Sequence, residues 1–380
     1  MGELLIFEPP QISTIMAKIK DIIDYLETWA PPAYQEHYDN SGLITGSKEA
    51  KLTGVIIALD CTEEVVKEAI SKNCNLIVAH HPIIFKGLKQ LTGKTYVERT
   101  VIMAIRHDIS IYAIHTNLDH IATGVNKKIA DRLGLKETKI LRAKNDTLCK
   151  LTTFIPKPKT EEVMTALHNA GAGMIGNYHH CSFRLPGLGT FMPMQGAHPT
   201  IGSIDQLEKV HEDRVEVIFP AHLKSKVLNS LFKAHPYEEV AYYLHNLQNV
   251  DNQVGAGMTG LLEEPLSIRD FFALIKTQLQ VSVIRHTLPI KDLVQKIALC
   301  GGSGSFLLRD AIVKGADVFI SGDFKYHEFF DAENSIMIAD IGHYESELFT
   351  KELIYDKLTE KFANIALHFT EVNTNPIKYA

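Results

Sequence analysis

The chain has 380 residues, 45% of them hydrophobic and 22% charged, with a formal net charge of −6. That length and balance describe a globular protein of two or three domains, with a core that needs no disulfide framework or structural metal. The acidic balance and the lack of a Lys/Arg block argue against a dedicated nucleic-acid surface, and no run approaches the ~18 apolar residues of a membrane span.

The N-terminal stretch, Met1-Gly-Glu-Leu-Leu-Ile-Phe-Glu-Pro-Pro, has neither a basic n-region nor a long apolar h-region. The five cysteines (Cys61, Cys74, Cys149, Cys181 and Cys300) are scattered with no CxxC pair. Both features predict a protein of the reducing cytoplasm. Ile15 to Leu26 has helical spacing of apolar residues, with Ser13 or Thr14 as the cap and Ala30-Pro-Pro as the stop. Tyr38-Asp-Asn-Ser-Gly42 predicts a turn into a short strand. A β-α-β-α-β-α series follows: strand Val55–Leu59, a helix from Thr62 to about Asn73 with Glu63 and Glu64 in its first turn, strand Leu76–Ala79, helix Tyr96–His107, strand Ile109–Ile114 and helix Gly124–Leu133. Such alternation predicts a parallel sheet with right-handed crossovers.

From about Cys149 to Val250 the strands read as longer and less buried. Strand Leu151–Ile155 precedes a helix over Thr160–Ala170. Asn177–Phe183 and Gly189–Met192 predict a hairpin around Leu185-Pro186-Gly187. Strand Val215–Phe219, a helix over Leu223–Lys233 and strand Val240–Leu247 complete a ferredoxin-like α+β pattern. The α/β pattern resumes after Gly255-Ala-Gly-Met-Thr-Gly260. It gives helix Ile268–Leu279, strands Val281–Arg285 and Ile297–Leu299, and a Gly301-Gly-Ser-Gly-Ser305 turn. Helix Phe306–Lys314, strand Val318–Ile320, a short helix over Lys325–Phe330, strand Ile336–Ala339, helix Tyr344–Lys357 and strand Ile365–Phe369 follow. The expected fold is an α/β core with largely parallel sheets over 1–147 and 253–380, interrupted by a ferredoxin-like domain over 148–252.

Three apolar runs end in groups that bind metals. Asn75-Leu-Ile-Val-Ala leads into His80-His81-Pro82, Ile109-Ser-Ile-Tyr-Ala-Ile into His115-Thr-Asn-Leu-Asp119-His120, and Ser335-Ile-Met-Ile-Ala-Asp-Ile into Gly342-His343-Tyr-Glu-Ser-Glu347. In a parallel sheet the carboxyl ends of strands share an edge, so these distant segments can meet in one cleft. Taken singly, each is weak. With 18 His in 380 residues, about one His-His pair is expected by chance. Asp119 also suits a helix cap, and His343 with Glu347 is an i, i+4 pair of the kind found on helix surfaces. His115 and His120 are competing ligand candidates. Together, His80, His81, Asp119, His343 and Glu347 form an N/O set too large for one ion with an open position, and suited to two. Such donors favour Zn, Fe, Mn, Co or Ni over Ca or Mg. Gly301-Gly-Ser-Gly-Ser305 reads as an anion-binding or simply tight β–α turn. In Ser321-Gly-Asp-Phe-Lys-Tyr-His-Glu328, Lys325, His327 and Glu328 are catalytic candidates as proton carriers, and Asp323 is a cap or cleft residue.

These motifs resemble the NIF3-like family, also called DUF34 and often labelled GTP cyclohydrolase 1 type 2 homologs. The resemblance is carried by Glu27-Thr-Trp-Ala-Pro-Pro, Tyr38-Asp-Asn-Ser-Gly-Leu, Ala79-His-His-Pro, His115-Thr-Asn-Leu-Asp119, Gly301-Gly-Ser-Gly, Ser321-Gly-Asp-Phe-Lys-Tyr-His-Glu and Gly342-His-Tyr-Glu-Ser-Glu. Tyr38 stands where a Trp is usual, and Tyr344 where the family often has a second His. The resemblance implies two divalent ions per subunit on His80, His81, Asp119, His343 and Glu347, with Glu347 able to bridge. The inserted segment resembles the PII/CutA-like domain of the family's longer bacterial members, through Gly171-Ala-Gly-Met-Ile-Gly-Asn-Tyr-His-His-Cys-Ser-Phe and Ala234-His-Pro-Tyr-Glu-Glu-Val-Ala. It further implies a toroidal homohexamer, in which His179, His180 and His235 either line an entrance or serve as surface and packing residues. The expected activity is metal-dependent hydrolysis of a nucleotide or similar small molecule. The alternative is a non-enzymatic metal-binding, metal-delivery or ligand-sensing protein.

Overall fold

The computed structural model describes residues 17–380. The expected helix start at Ile15 and its caps Ser13 and Thr14 lie outside the described residues. The chain packs as two compact units. One runs up to Glu137 and resumes over Gly260–Ala380, and the other is Thr138–Thr259.

The first unit begins with α1 (Ile19–Trp29), which buries Ile19, Ile22, Ile23 and Leu26 along one stripe. Strands β1 (Gly42–Thr45) and β2 (Val55–Ala58), helix α2 (Glu63–Ser71), β3 (Leu76–Ala79), α3 (Tyr96–Arg106), β4 (Ser110–Ala113), the short α4 (Thr116–Asp119) and α5 (Val125–Arg132) follow. All residues of β2, β3 and β4 are buried, as befits parallel strands covered on both faces. Val55 pairs with Leu76, and Leu76 with Ser110, in parallel register. Thr62 caps α2 by accepting from the Val65 N–H (3.4 Å), and Thr95 caps α3 by accepting from the Glu98 N–H (3.2 Å).

Strand β5 (Lys136–Ala143) leads into the second unit, which holds β6 (Leu148–Pro156), α6 (Thr160–Asn169), β7 (Phe183–Phe191), β8 (Glu208–Pro220), α7 (Lys224–Ala234) and β9 (Tyr242–Asn246). Its sheet is antiparallel in the order β7-β8-β6-β9. A βαββαβ chain order with this sheet order is the ferredoxin-like fold. Its core joins Leu151, Ile155, Val215, Val217 and Phe219 of the sheet to Val163, Leu167, Val227 and Leu231 of the two helices.

Strand β10 (Gly255–Ser267) leads back into the first unit, which continues with α8 (Ile268–Gln278), β11 (Arg285–His286), β12 (Leu293–Ser303), α9 (Leu308–Val313), β13 (Val318–Gly322), β14 (Met337–Asp340), α10 (His343–Glu347), α11 (Thr350–Thr359) and β15 (Leu367–Phe369). Strand order is β1-β4-β3-β2-β15 in one sheet and β11-β14-β13-β12-β10-β5 in another. The α/β core therefore contains two mixed sheets.

Several expected elements differ. There is no hairpin at Leu185-Pro186-Gly187; β7 runs straight through it and pairs along its length with β8. β7 is an edge strand, where a proline's missing N–H costs no ladder bond. The expected strand over Val281–Arg285 shrinks to Arg285–His286, paired with Asp340 and Ala339. The expected helix over Tyr344–Lys357 is divided between α10 and α11. β12 continues through Gly301 and Gly302, with a bulge against β13 between Leu299 and Ser303. Among the described residues no helix is long and apolar enough to cross a membrane.

Candidate metal centre

Strand ends from both sheets of the first unit bring their polar residues together. Just after β3, His80 and His81 donate N–H to the carbonyls of Ala58 (3.1 Å) and Leu59 (2.9 Å). β4 leads through Ile114 to His115 and to Asp119 at the end of α4. In the other sheet β14 ends at Asp340, and Gly342 turns the chain in the left-handed region (φ 91°). α10 then carries His343 and, one turn on, Glu347.

Glu347 sits at the middle of the group. Its Oε1 lies 3.7 Å from His80 Nε2, which is also 3.7 Å from Asp119 Oδ1. Its Oε2 lies 3.0 Å from His81 Nε2 and 3.2 Å from His343 Nε2, and those two nitrogens are 3.2 Å apart. One carboxylate thus offers an oxygen to each of two donor groups. A third group joins His80, His81 and His115, its donor atoms all within 4.8 Å of one another.

These residues fit a metal ion. His80 Nε2 and Asp119 Oδ1 are buried without a hydrogen-bond partner among the described residues, whereas buried polar atoms are ordinarily satisfied. Donors about 2.1 Å from one tetrahedral ion lie about 3.4 Å apart, and the separations around Glu347 are 3.0 to 3.7 Å. Each imidazole has its other nitrogen engaged. Nδ1 of His80 meets the Ile114 carbonyl (2.8 Å), that of His81 meets Asp60 (2.8 Å), that of His115 meets Asp39 (2.7 Å) and that of His343 meets Asp323 (2.7 Å). An Nδ1–H donated this way leaves Nε2 as a lone pair, the arrangement that metal-binding histidines require.

The Duf34/NIF3 (NGG1p interacting factor 3) family model matches residues 17–376. The chain belongs to the NIF3 family. It is 38% identical over 366 residues to the GTP cyclohydrolase 1 type 2 homolog of Bacillus subtilis (strain 168), covering 95% of this chain and 98% of that protein. It is 36% identical over 367 residues to the protein of the same name from Staphylococcus aureus (strain MSSA476), covering 95% of this chain and all of the other. A Bacillus cereus protein related to NIF3, known from a crystal structure, matches with a TM-score of 0.84 at 37% identity over 96% of this chain and 100% of its own.

In this NIF3-family chain the charges of the site are tightly linked. Burial opposes a charge on His81, but Glu347 and Asp60 outweigh it and raise its pKa to about 10. His343, likewise opposed by burial, is raised to about 11 by Glu347 and Asp323. Burial pushes Glu347 up, and the imidazoles of His343, His81 and His80 hold it well below its ordinary value. Burial raises Asp119, against the pull of His80. The carboxylates demand positive charge, and protons or a metal can supply it.

His80, His81, Asp119, His343 and Glu347 all fall in the donor groups. His115 joins His80 and His81, whereas His120 is turned away, with Nδ1 at the Tyr34 carbonyl (3.0 Å) and Nε2 at Glu36 (3.1 Å). Lys325, His327 and Glu328 stand in none of the groups. Glu328 accepts from the Lys325 N–H (2.9 Å) as a helix cap, and the exposed His327 ring lies against Tyr326 and Phe330. Asp323 supports His343 from a left-handed backbone position (φ 59°). The carriers Asp39 and Asp60 are the residues that sequence reasoning missed. Asp60 closes the apolar run Val55–Leu59 just as His80 closes its own, and that was the available signal. Asp39 lies within the quoted Tyr38-Asp-Asn-Ser turn and also accepts from Ser41 Oγ (2.8 Å) and Thr116. In the second unit, His235 is buried with both ring nitrogens engaged, and the His180 ring lies 4.6 Å from that of His168.

Proposed function

We propose that this protein binds two divalent ions of the Zn, Fe, Mn, Co or Ni type and hydrolyses a nucleotide or a similar small molecule. The observation that carries the reading is Glu347, whose two oxygens face separate donor groups, His80 with Asp119 and His81 with His343. When bound, such ions lower the pKa of water and stabilise developing negative charge, the chemistry of two-metal hydrolases. The relatives' name, GTP cyclohydrolase 1 type 2 homolog, supports a purine nucleotide as the first substrate class to try.

The chain's own residues hold and orient. Asp60 and Asp323 keep His81 and His343 in the tautomer that presents Nε2. Asp39 does the same for His115, and the resulting Asp39–His115 pair is placed to accept a proton at Nε2 and pass it on. Burial of His80 and Glu347 keeps bulk water from competing for their lone pairs.

Elemental analysis of the purified protein is the first test, followed by a nucleotide panel assayed with the identified metal restored. About two ions per chain, lost in His80→Ala and in Glu347→Gln with the fold intact, is the expected result. Metal at this stoichiometry with no turnover of any nucleotide would remove the hydrolase and leave a metal-binding or metal-delivery protein. No bound metal under any loading condition would remove both.

A further inference from the structure

The second unit holds a cavity of about 700 Å³. It opens on the face of the ferredoxin-like sheet turned away from α6 and α7. Leu151, Ile155, Val215 and Val217 pack against those helices, and strand alternation turns Phe154, Glu212 and Tyr243 to the opposite side. Residues 192–197 and 199–201, after β7, and the segment Tyr237–Glu239 complete the walls.

The lining has two chemical features. Four aromatic rings are arranged as edge-to-face pairs, Phe154 with Tyr243 (centroids 5.8 Å apart) and Phe191 with Tyr237 (5.7 Å). Three carboxylates, Glu212, Glu238 and Glu239, accompany them, and no Lys, Arg or His lines the cavity. Two of the carboxylates have work inside the fold: Glu212 accepts from Tyr237 Oη (2.9 Å) and Glu238 from the His198 N–H (2.8 Å). Glu239 makes no hydrogen bond or ion pair among the described residues and stays available to a ligand.

The neighbouring imidazole reinforces the charge pattern. His235 Nδ1 accepts from the Tyr237 N–H (3.2 Å), so its Nε2 carries the hydrogen that goes to the Phe154 carbonyl (2.9 Å). That tautomer is neutral, and His235 thereby ties the two aromatic walls together without adding positive charge. Ring faces attract cations through their quadrupole, and unopposed carboxylates add to that attraction. An anion would meet these carboxylates with no Lys, Arg or His side chain in the lining to offset them.

We propose that this cavity binds a small organic cation, an alkylated ammonium whose charge sits against the Tyr243 and Phe191 rings beside Glu239. The site is separate from the metal donors and requires none of them.

Choline and its uncharged isostere 3,3-dimethyl-1-butanol are suitable probes, titrated by calorimetry into the full-length protein with and without chelator. Saturable binding of choline is expected in both conditions, with the isostere about tenfold weaker or worse. Tyr243→Ala and Glu239→Gln are each expected to weaken choline about three- to tenfold, while Tyr243→Phe, which keeps the ring, retains it. Tyr243 is 57% exposed, so its truncation leaves the core intact. Equal affinity for the two probes, indifference to Tyr243→Ala, or no saturable binding by about 10 mM overturns the proposal.

Discussion

A histidine serves a metal only when one nitrogen is fixed as a donor elsewhere and the other is left bare. For His81 that task falls to Asp60, itself held by Thr374 Oγ1 at 2.6 Å from the C-terminal segment. Asp60→Asn keeps the shape but loses the charge and can offer an N–H in place of the acceptor. It should weaken metal binding about 10- to 100-fold in a chelator competition, with the circular dichroism unchanged. An unaltered affinity would show that the tautomer of His81 is set by something other than Asp60. The five donors expected from sequence meet in space because each closes or follows a buried strand, a local pattern that sequence displays. Their carboxylate carriers were hidden for a physical reason. Asp39 and His115 are 76 positions apart, and an Asp in a Tyr-Asp-Asn-Ser turn has an adequate local explanation in turn chemistry.

The strand β12 illustrates how backbone shape makes room for the site. Its bulge puts Gly302 at φ 62°, and a Cβ built there would fall 2.4 Å from Glu347 Oε1. The Gly301-Gly302 pair, readable from sequence as an anion loop or a tight turn, is in fact strand that approaches a carboxylate closely. Gly302→Ala should cost about 1–3 kcal/mol from overpacking and about 1–2 kcal/mol from the left-handed backbone, and it should lower metal content by displacing Glu347. Full metal occupancy in this variant would mean that the carboxylate has another place to stand. The same sheet is pinned by buried Asp317, which accepts from Lys291 and from the N–H groups of Gln295 and Lys296 (2.9 Å each). Burial raises its carboxyl, but these donors prevail and hold it below the ordinary value. A depressed folded pKa supplies stability that is complete above the unfolded value of ~3.9 and disappears as pH falls through the folded one. Asp317→Asn should therefore cost about 1–3 kcal/mol near neutrality, and the difference should shrink as pH falls below the unfolded value of ~3.9, as read by denaturant unfolding at neutral and acid pH; a constant difference would exclude the linkage. Much of the strand–helix alternation was legible because buried parallel strands announce themselves as short apolar runs. β10 was not, since its Gly255-Ala-Gly-Met-Thr-Gly start mimics a linker. The glycine is there because a Cβ at Gly255 would meet the Arg142 carbonyl at 2.2 Å.

The donors of the candidate centre are spread from His80 to Glu347 yet all belong to one compact unit, the one interrupted by Thr138–Thr259. An unfolded chain cannot gather them, so metal binds the native form alone and stabilises it by mass action. At a free metal concentration 100 times its Kd, the gain is about 2.7 kcal/mol. For a unit of this size that corresponds to a rise in Tm of about 5–10 °C. The ferredoxin-like unit has its own core around Leu151, Val215, Phe219 and Leu231 and contributes no donor to the three groups. Calorimetry with and without a chelator should consequently resolve two kinds of response. The transition carrying the α/β core should fall by several degrees when metal is removed and recover when it is restored, whereas a transition carrying the inserted unit should stay where it is. A single transition that moves as one would show that the two units unfold together. A profile unmoved by chelation, in protein shown by elemental analysis to have lost its metal, would mean that the lost ion was not held preferentially by the native form, and so not by these donor groups.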